Sequence, residues 1–135
     1  MTLIEQLSRD EGRRSRVYTD TAGKLTAGVG RNISDVPFSD DEIDLMLAND
    51  IARVQTALAQ YSWFSALDPV RQGAMLNMAF NLGVAGLLHF PHLLVALARQ
   101  DWPVAVQEMA ESAWAREVGA RATRLGHQIL TGDWV

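Results

Sequence analysis

Cysteine is absent from this 135-residue chain. That excludes disulfide cross-links and thiolate metal ligands, so its stability has to come from packing and hydrogen bonding. Long apolar runs are missing as well, and none approaches the roughly 20 residues a membrane-spanning helix needs. Near the N-terminus stand Glu5, Arg9 and Asp10 rather than a basic-then-apolar leader, so the sequence predicts no signal peptide and no stable membrane insertion. Positive charge is in short supply: 12 Lys and Arg against 16 Asp and Glu leave a net charge of −4, the wrong sign for a dedicated nucleic-acid binder. The three histidines, His89, His92 and His127, lack metal-ligand clustering, and no metal site is expected. Repeats and low-complexity linkers are also absent. What remains, 48% hydrophobic and 21% charged, has the composition of one globular folding unit with a real core, long enough to be pinched into two lobes.

Charge is unevenly distributed. Arg9, Arg13, Arg14, Arg16, Lys24 and Arg31 crowd the first thirty or so residues, and Asp40, Asp41, Glu42, Asp44 and Asp50 make the next segment acidic. Such runs are ordinarily solvated faces, but a basic rim also suits an anionic polymer.

The pattern along the chain is helix, hairpin, then helices. Thr2-Leu3-Ile4-Glu5 is a capping box with Leu3, Ile4 and Leu7 at helical spacing and Gly12 as the stop, which predicts a helix from about Leu3 to Asp10 or Glu11. Val17, Tyr18, the turn-forming Thr21-Ala22-Gly23, then Leu25, Thr26 and Val29 predict a β-hairpin with a short third strand. Gly28 and Gly30 mark close approach or unusual dihedrals. Ser39-Asp40-Asp41-Glu42 is a second capping box opening one long helix to about Gln60. Asp68-Pro69 caps a helix to about Leu82 that is apolar on most sides and so belongs at a core, with breaks at Gly83 and Gly86. Helices from Pro91 to about Arg99, Asp101 to about Ser112 and Ala120 to about Leu130 complete the pattern. The fold class is α+β and mainly helical.

Within this frame Glu11, Asp20 and Thr26 are the candidate site. Singly each is ordinary: a glutamate at a helix end, an aspartate before a turn, a threonine on a strand. Together they place two carboxyl groups on separate rigid elements. Glycoside hydrolysis needs that arrangement: one carboxyl protonated to supply the leaving oxygen, the other ionised to steer water. A carboxyl at the negative end of a helix dipole keeps its proton more readily.

Glu11-Gly12, then Tyr18-Thr19-Asp20, then Gly23-Lys24-Leu25-Thr26-Ala27-Gly28-Val29-Gly30 resembles the signature of the phage-type lysozymes, the T-even-phage-like muramidase and endolysin family. Asn77-Met78-Ala79-Phe80-Asn81-Leu82-Gly83, Ser112-Ala113-Trp114 with Arg121-Ala122 and Arg124, and Thr131-Gly132-Asp133-Trp134 extend the likeness over nearly the whole chain. The resemblance implies a lysozyme-like fold: a small β-lobe at about 12–38, a connecting helix at about 39–60, and a helical lobe at about 61–135 together with 1–11. It implies hydrolysis, with inversion, of the β-1,4 bond between N-acetylmuramic acid and N-acetylglucosamine in peptidoglycan, by a monomer without cofactor or metal. Glu11 would be the general acid, with Asp20 and Thr26 positioning the water. Gly30, Phe80, Asn81 and His92 would contact the glycan, and Arg121 would pin Glu11. Alternatives are a lytic transglycosylase acting on the same bond and a catalytically silent wall-binding relative. An endolysin of this kind would wait in the host cytoplasm and rely on a separate pore, a holin, to reach the wall.

The chain departs from the family after Gly30. There the larger members have a histidine and a longer segment before the long helix, whereas here Arg31 follows and only residues 32–38 separate it from Ser39. The β-lobe is therefore expected to be smaller. Arg31 is expected to pair with Asp50, which aligns with the histidine's partner in the family.

Overall fold

The computed structural model describes residues 1–135. The order of elements is α1 (Leu3–Glu11), β1 (Arg14–Thr19), β2 (Leu25–Gly28), β3 (Arg31–Asn32), α2 (Asp40–Ala59), α3 (Ser62–Ser65), α4 (Pro69–Leu82), α5 (Val84–Leu88), α6 (Pro91–Ala98), α7 (Trp102–Ala110), α8 (Ala113–Val118) and α9 (Ala120–Thr131). No helix is long and apolar enough to cross a membrane. The chain divides into two compact units, Met1–Met46 and Leu47–Val135. The division falls inside α2, so one uninterrupted helix belongs to both. The first unit contains α1.

In the first unit, α1 starts on its capping box: the Thr2 hydroxyl accepts the Glu5 N–H at 3.2 Å, and Glu5 Oε2 accepts the Thr2 N–H at 2.6 Å. The strands form one antiparallel sheet in the order β1-β2-β3. Tyr18 lies opposite Thr26, and Thr26 opposite Asn32, so these three side chains share a face. An irregularity between Arg14 and Tyr18 bends β1, the edge strand. The second capping box opens α2: Ser39 Oγ accepts the Glu42 N–H, and Glu42 Oε1 accepts the Ser39 N–H.

The second unit is built around α4, whose Ala74, Met75, Met78 and Ala79 are buried, as its all-round apolar sequence requires. Leu58, Phe64, Leu87, Leu93, Leu97, Met109, Trp114 and Ile129 pack around them. Asp68 caps α4 by accepting the Arg71 N–H at 3.0 Å. Arg71 then ties α4 to the end of α9: its Nε donates to Ile129 O at 2.7 Å and its Nη2 to Leu130 O at 3.3 Å, and its guanidinium lies 4.1 Å over the Trp102 ring. These bonds satisfy carbonyls that a helix end leaves without partners.

The predicted helices and hairpin are present within a residue or two at most boundaries. Three short helices, α3, α5 and α8, were not predicted. Gly86, which reads as a helix break, lies inside α5.

Candidate active site

Glu11 ends α1, where Gly12 stops the helix and the chain turns into β1. The Gly28–Arg31 turn joins β2 to β3, and at its Gly30 φ is +62°. A side chain there would be strained, and a Cβ would stand 3.0 Å from Glu11 Oε2. The bare backbone of Gly30 is therefore the surface against which the Glu11 carboxyl rests. Gly30, expected from the resemblance to touch the glycan, sits directly beside the expected acid.

Asp20 follows β1 and folds its own turn. Its Oδ1 accepts the N–H groups of Ala22 at 2.9 Å and Lys24 at 2.8 Å, and its N–H donates to Lys24 O at 2.9 Å. Thr26 is 4% exposed, and its hydroxyl donates to the same Lys24 O at 3.1 Å. The backbone of one residue, Lys24, thus ties the carboxylate to the hydroxyl, through its N–H on one side and its carbonyl on the other. Asp20 keeps Oδ2 without a protein partner, and Thr26 has given its proton away, so both present lone pairs. Each is thereby left able to accept a hydrogen bond from a further donor.

Arg31 does not take Asp50. Its Nη2 pairs with Glu42 at 2.6 Å, while Asp50 pairs with Arg53 one turn along the same helix. The short 32–38 segment brings β3 to the first turn of α2, and Asp50 lies eight residues, about 12 Å, further along that helix. The expected Arg31–Asp50 pair is thereby corrected. The Arg31 guanidinium and then the Ser39 backbone and hydroxyl hold the Glu42 carboxyl down to about 2. Arg31 Nη1 is buried without a partner.

Arg121 spends Nε on Asn77 Oδ1 at 2.9 Å and Nη2 on Asn77 O at 3.2 Å, binding α9 to α4. Asn81 accepts the Trp114 indole N–H at 2.9 Å, a packing role for the side chain expected to meet the glycan. Phe80 is 47% exposed and lines an apolar hollow of ≈ 350 Å³ with Leu47, Ile51, Val54, Leu76, Asn77, Arg121 and Trp134. His92 lines a different depression with His89, Glu108 and Glu111.

Asn77 and Trp134 were not singled out as site residues, yet both border the hollow of Phe80. Gly73 was the available signal. Glycine inside a helix costs about 1 kcal/mol, and here it admits the Trp134 ring, whose Cη2 a Cβ would meet at 2.3 Å.

The helices and the small antiparallel sheet are those of a lysozyme-like α+β fold. The phage lysozyme family matches residues 8–127, and the chain belongs to that family. It is 31% identical to the pre-baseplate central spike protein Gp5 of Enterobacteria phage T4, over 98% of this chain and 28% of that protein. It is also 24% and 22% identical to probable T4-type lysozymes 1 and 2 of Dictyostelium discoideum, over 97% of this chain and 95% of each. The chain therefore spans less than a third of the spike protein and nearly all of the other two.

Proposed function

We propose that this protein is a muramidase that cuts the β-1,4 bond between N-acetylmuramic acid and N-acetylglucosamine in peptidoglycan, with inversion. Glu11 gives its proton to the leaving glycosidic oxygen. Asp20 and Thr26 hold a water on the opposite face of the sugar, and Asp20 takes its proton as the oxygen attacks the anomeric carbon. Inversion requires about 6.5–9.5 Å between the two carboxyl groups, to leave room for that water. Phe80 offers its exposed ring to a sugar. The observation that carries the reading is the Lys24 backbone, whose N–H binds the Asp20 carboxylate and whose carbonyl accepts from the Thr26 hydroxyl.

The protein acts as a monomer without cofactor. As an endolysin it depends on a holin for access to the wall. Likeness to a baseplate spike protein favours a second setting, in which the same chemistry is carried on a virion.

The test is turbidity loss of outer-membrane-permeabilised Gram-negative cells, with the released fragments analysed by NMR. Wild type is expected to lyse the cells and release the α-anomer first. Glu11→Gln and Asp20→Asn are expected to keep the fold and lose about 10²–10⁴-fold in rate. Lysis by either variant at the wild-type rate refutes the roles, and a 1,6-anhydro product refutes hydrolysis in favour of transglycosylation.

A further inference from the structure

Six basic residues stand in the unit Met1–Met46, and they split evenly. Arg9, Lys24 and Arg31 each pair with a carboxylate, namely Asp10, Asp35 and Glu42. Arg13, Arg14 and Arg16 pair with none, although the chain has 16 acidic residues to offer, and all three are exposed. They are consecutive or nearly so, at the start of the edge strand that leads from Glu11 to Asp20. Arg13 leans back on α1, donating to Ser8 Oγ at 3.4 Å. Arg14 lies 5.4 Å over the Tyr18 ring, on the face of the sheet that Tyr18 shares with Thr26. Stacking on an aromatic ring orients a guanidinium while leaving its N–H edge open.

Charged residues on an edge strand also discourage edge-to-edge aggregation, a task that any charge would serve. Arginine adds a planar fork that takes carboxylates bidentately. Four residues of strand cover about 10–13 Å, room for more than one carboxylate. A protein of net charge −4 gains no general attraction to an anionic wall, so any attraction must be local.

We infer that Arg13, Arg14 and Arg16 form a binding site for the carboxylates of the acidic peptide stems borne by an uncleaved glycan strand. This rests on the muramidase reading and extends it: the enzyme engages peptide-bearing strands through charge, beside the carboxyl pair that cuts them.

The experiment is co-sedimentation of the non-cleaving Glu11→Gln protein with purified peptidoglycan sacculi, from about 50 to about 300 mM salt, a range over which the screening length falls through roughly 10 Å. Native sacculi are compared with sacculi whose carboxylates have been amidated. Adding Arg13→Gln, Arg14→Gln and Arg16→Gln is expected to weaken binding to native sacculi roughly tenfold at low salt, three exposed charge contacts each contributing modestly. It is also expected to flatten the salt dependence. Lysine at all three positions restores the salt dependence, and amidated sacculi bind the Glu11→Gln protein and its triple-glutamine form alike. Equal binding of the Glu11→Gln protein to native and amidated sacculi overturns the inference and does not depend on how any arginine variant folds. An unchanged salt slope in a folded triple-glutamine protein overturns it too. Lysis by the wild-type chain is scored separately, so an inactive wild type with arginine-dependent binding refutes the hydrolase reading alone.

Discussion

Two glycines of the β2–β3 turn provide a matched pair of perturbations. Gly28 and Gly30 have φ of +66° and +62°, so alanine at either meets the same backbone penalty, about 1–2 kcal/mol for an L-residue in the left-handed region. Their surroundings differ. A Cβ at Gly28 has nothing within 4 Å, whereas one at Gly30 stands 3.0 Å from Glu11 Oε2 and 3.4 Å from its Cδ. Ordinary contact begins near 3.5 Å, so the Glu11 carboxyl must retreat by about half an ångström. Glu11 is exposed and flexible and can yield at little further cost in stability. Catalysis is less forgiving, since a misplacement of about 1 Å can cost about 10²-fold in rate. Half that shift implies about tenfold. Gly28→Ala and Gly30→Ala are therefore expected to lower the melting temperature alike, by roughly 3–8 °C for a chain of this size. Only Gly30→Ala is expected to lose about tenfold in lysis rate. Thermal melts followed by circular dichroism, with turbidity assays below both transitions, provide the comparison. Equal activity in the two variants would refute the claim that Gly30 seats the acid.

Two further outcomes follow from the charged contacts. Glu42 has a folded-state pKa of about 2, lowered chiefly by the Arg31 guanidinium, so it binds its proton more readily unfolded than folded. Its contribution is present in full above the ordinary glutamate value and is lost as pH falls through about 4.5 toward 2; Glu42→Gln is expected to flatten acid denaturation curves over that window alone, and a loss confined to pH 6–8 would contradict it. Arg71 is 14% exposed and donates to Asp68, Ile129 and Leu130 at once, so Arg71→Lys, with one point of charge for three directions, is expected to cost about 1–3 kcal/mol in urea unfolding.

What the sequence disclosed and what it hid divide along physical lines. Capping boxes at Thr2 and Ser39 and the Asp68-Pro69 start are local devices, satisfied within three residues, and each stands where it was expected. The helices α3, α5 and α8 are one to two turns long, too short for an apolar period to repeat. Gly86 in α5 reads as a breaker because glycine's helix penalty is weak enough for packing to override. Side-chain partners were the least legible. Arg31 and Asp50 were matched by alignment with a longer relative, but the choice of partner depends on which helix turn the short 32–38 segment reaches. Arg121 and Asn81 had plausible polar tasks, and the partners they take, Asn77 and Trp114, lie more than thirty residues away in sequence.

Asp20 shows why two readings of one residue need not compete. An aspartate before Thr21-Ala22-Gly23 is a turn-former by composition, and Oδ1 performs that task by accepting two backbone N–H groups. The same bonds fix the carboxylate plane and draw hydrogen-bond density onto one oxygen, leaving the other free. A base that must hold water in one orientation gains from such rigidity, because the position is set before the substrate arrives. Thr26 completes the arrangement from the neighbouring strand by directing its proton to the Lys24 carbonyl. In this sheet the turn that makes Asp20 look structural also holds in place the carboxylate proposed as the base.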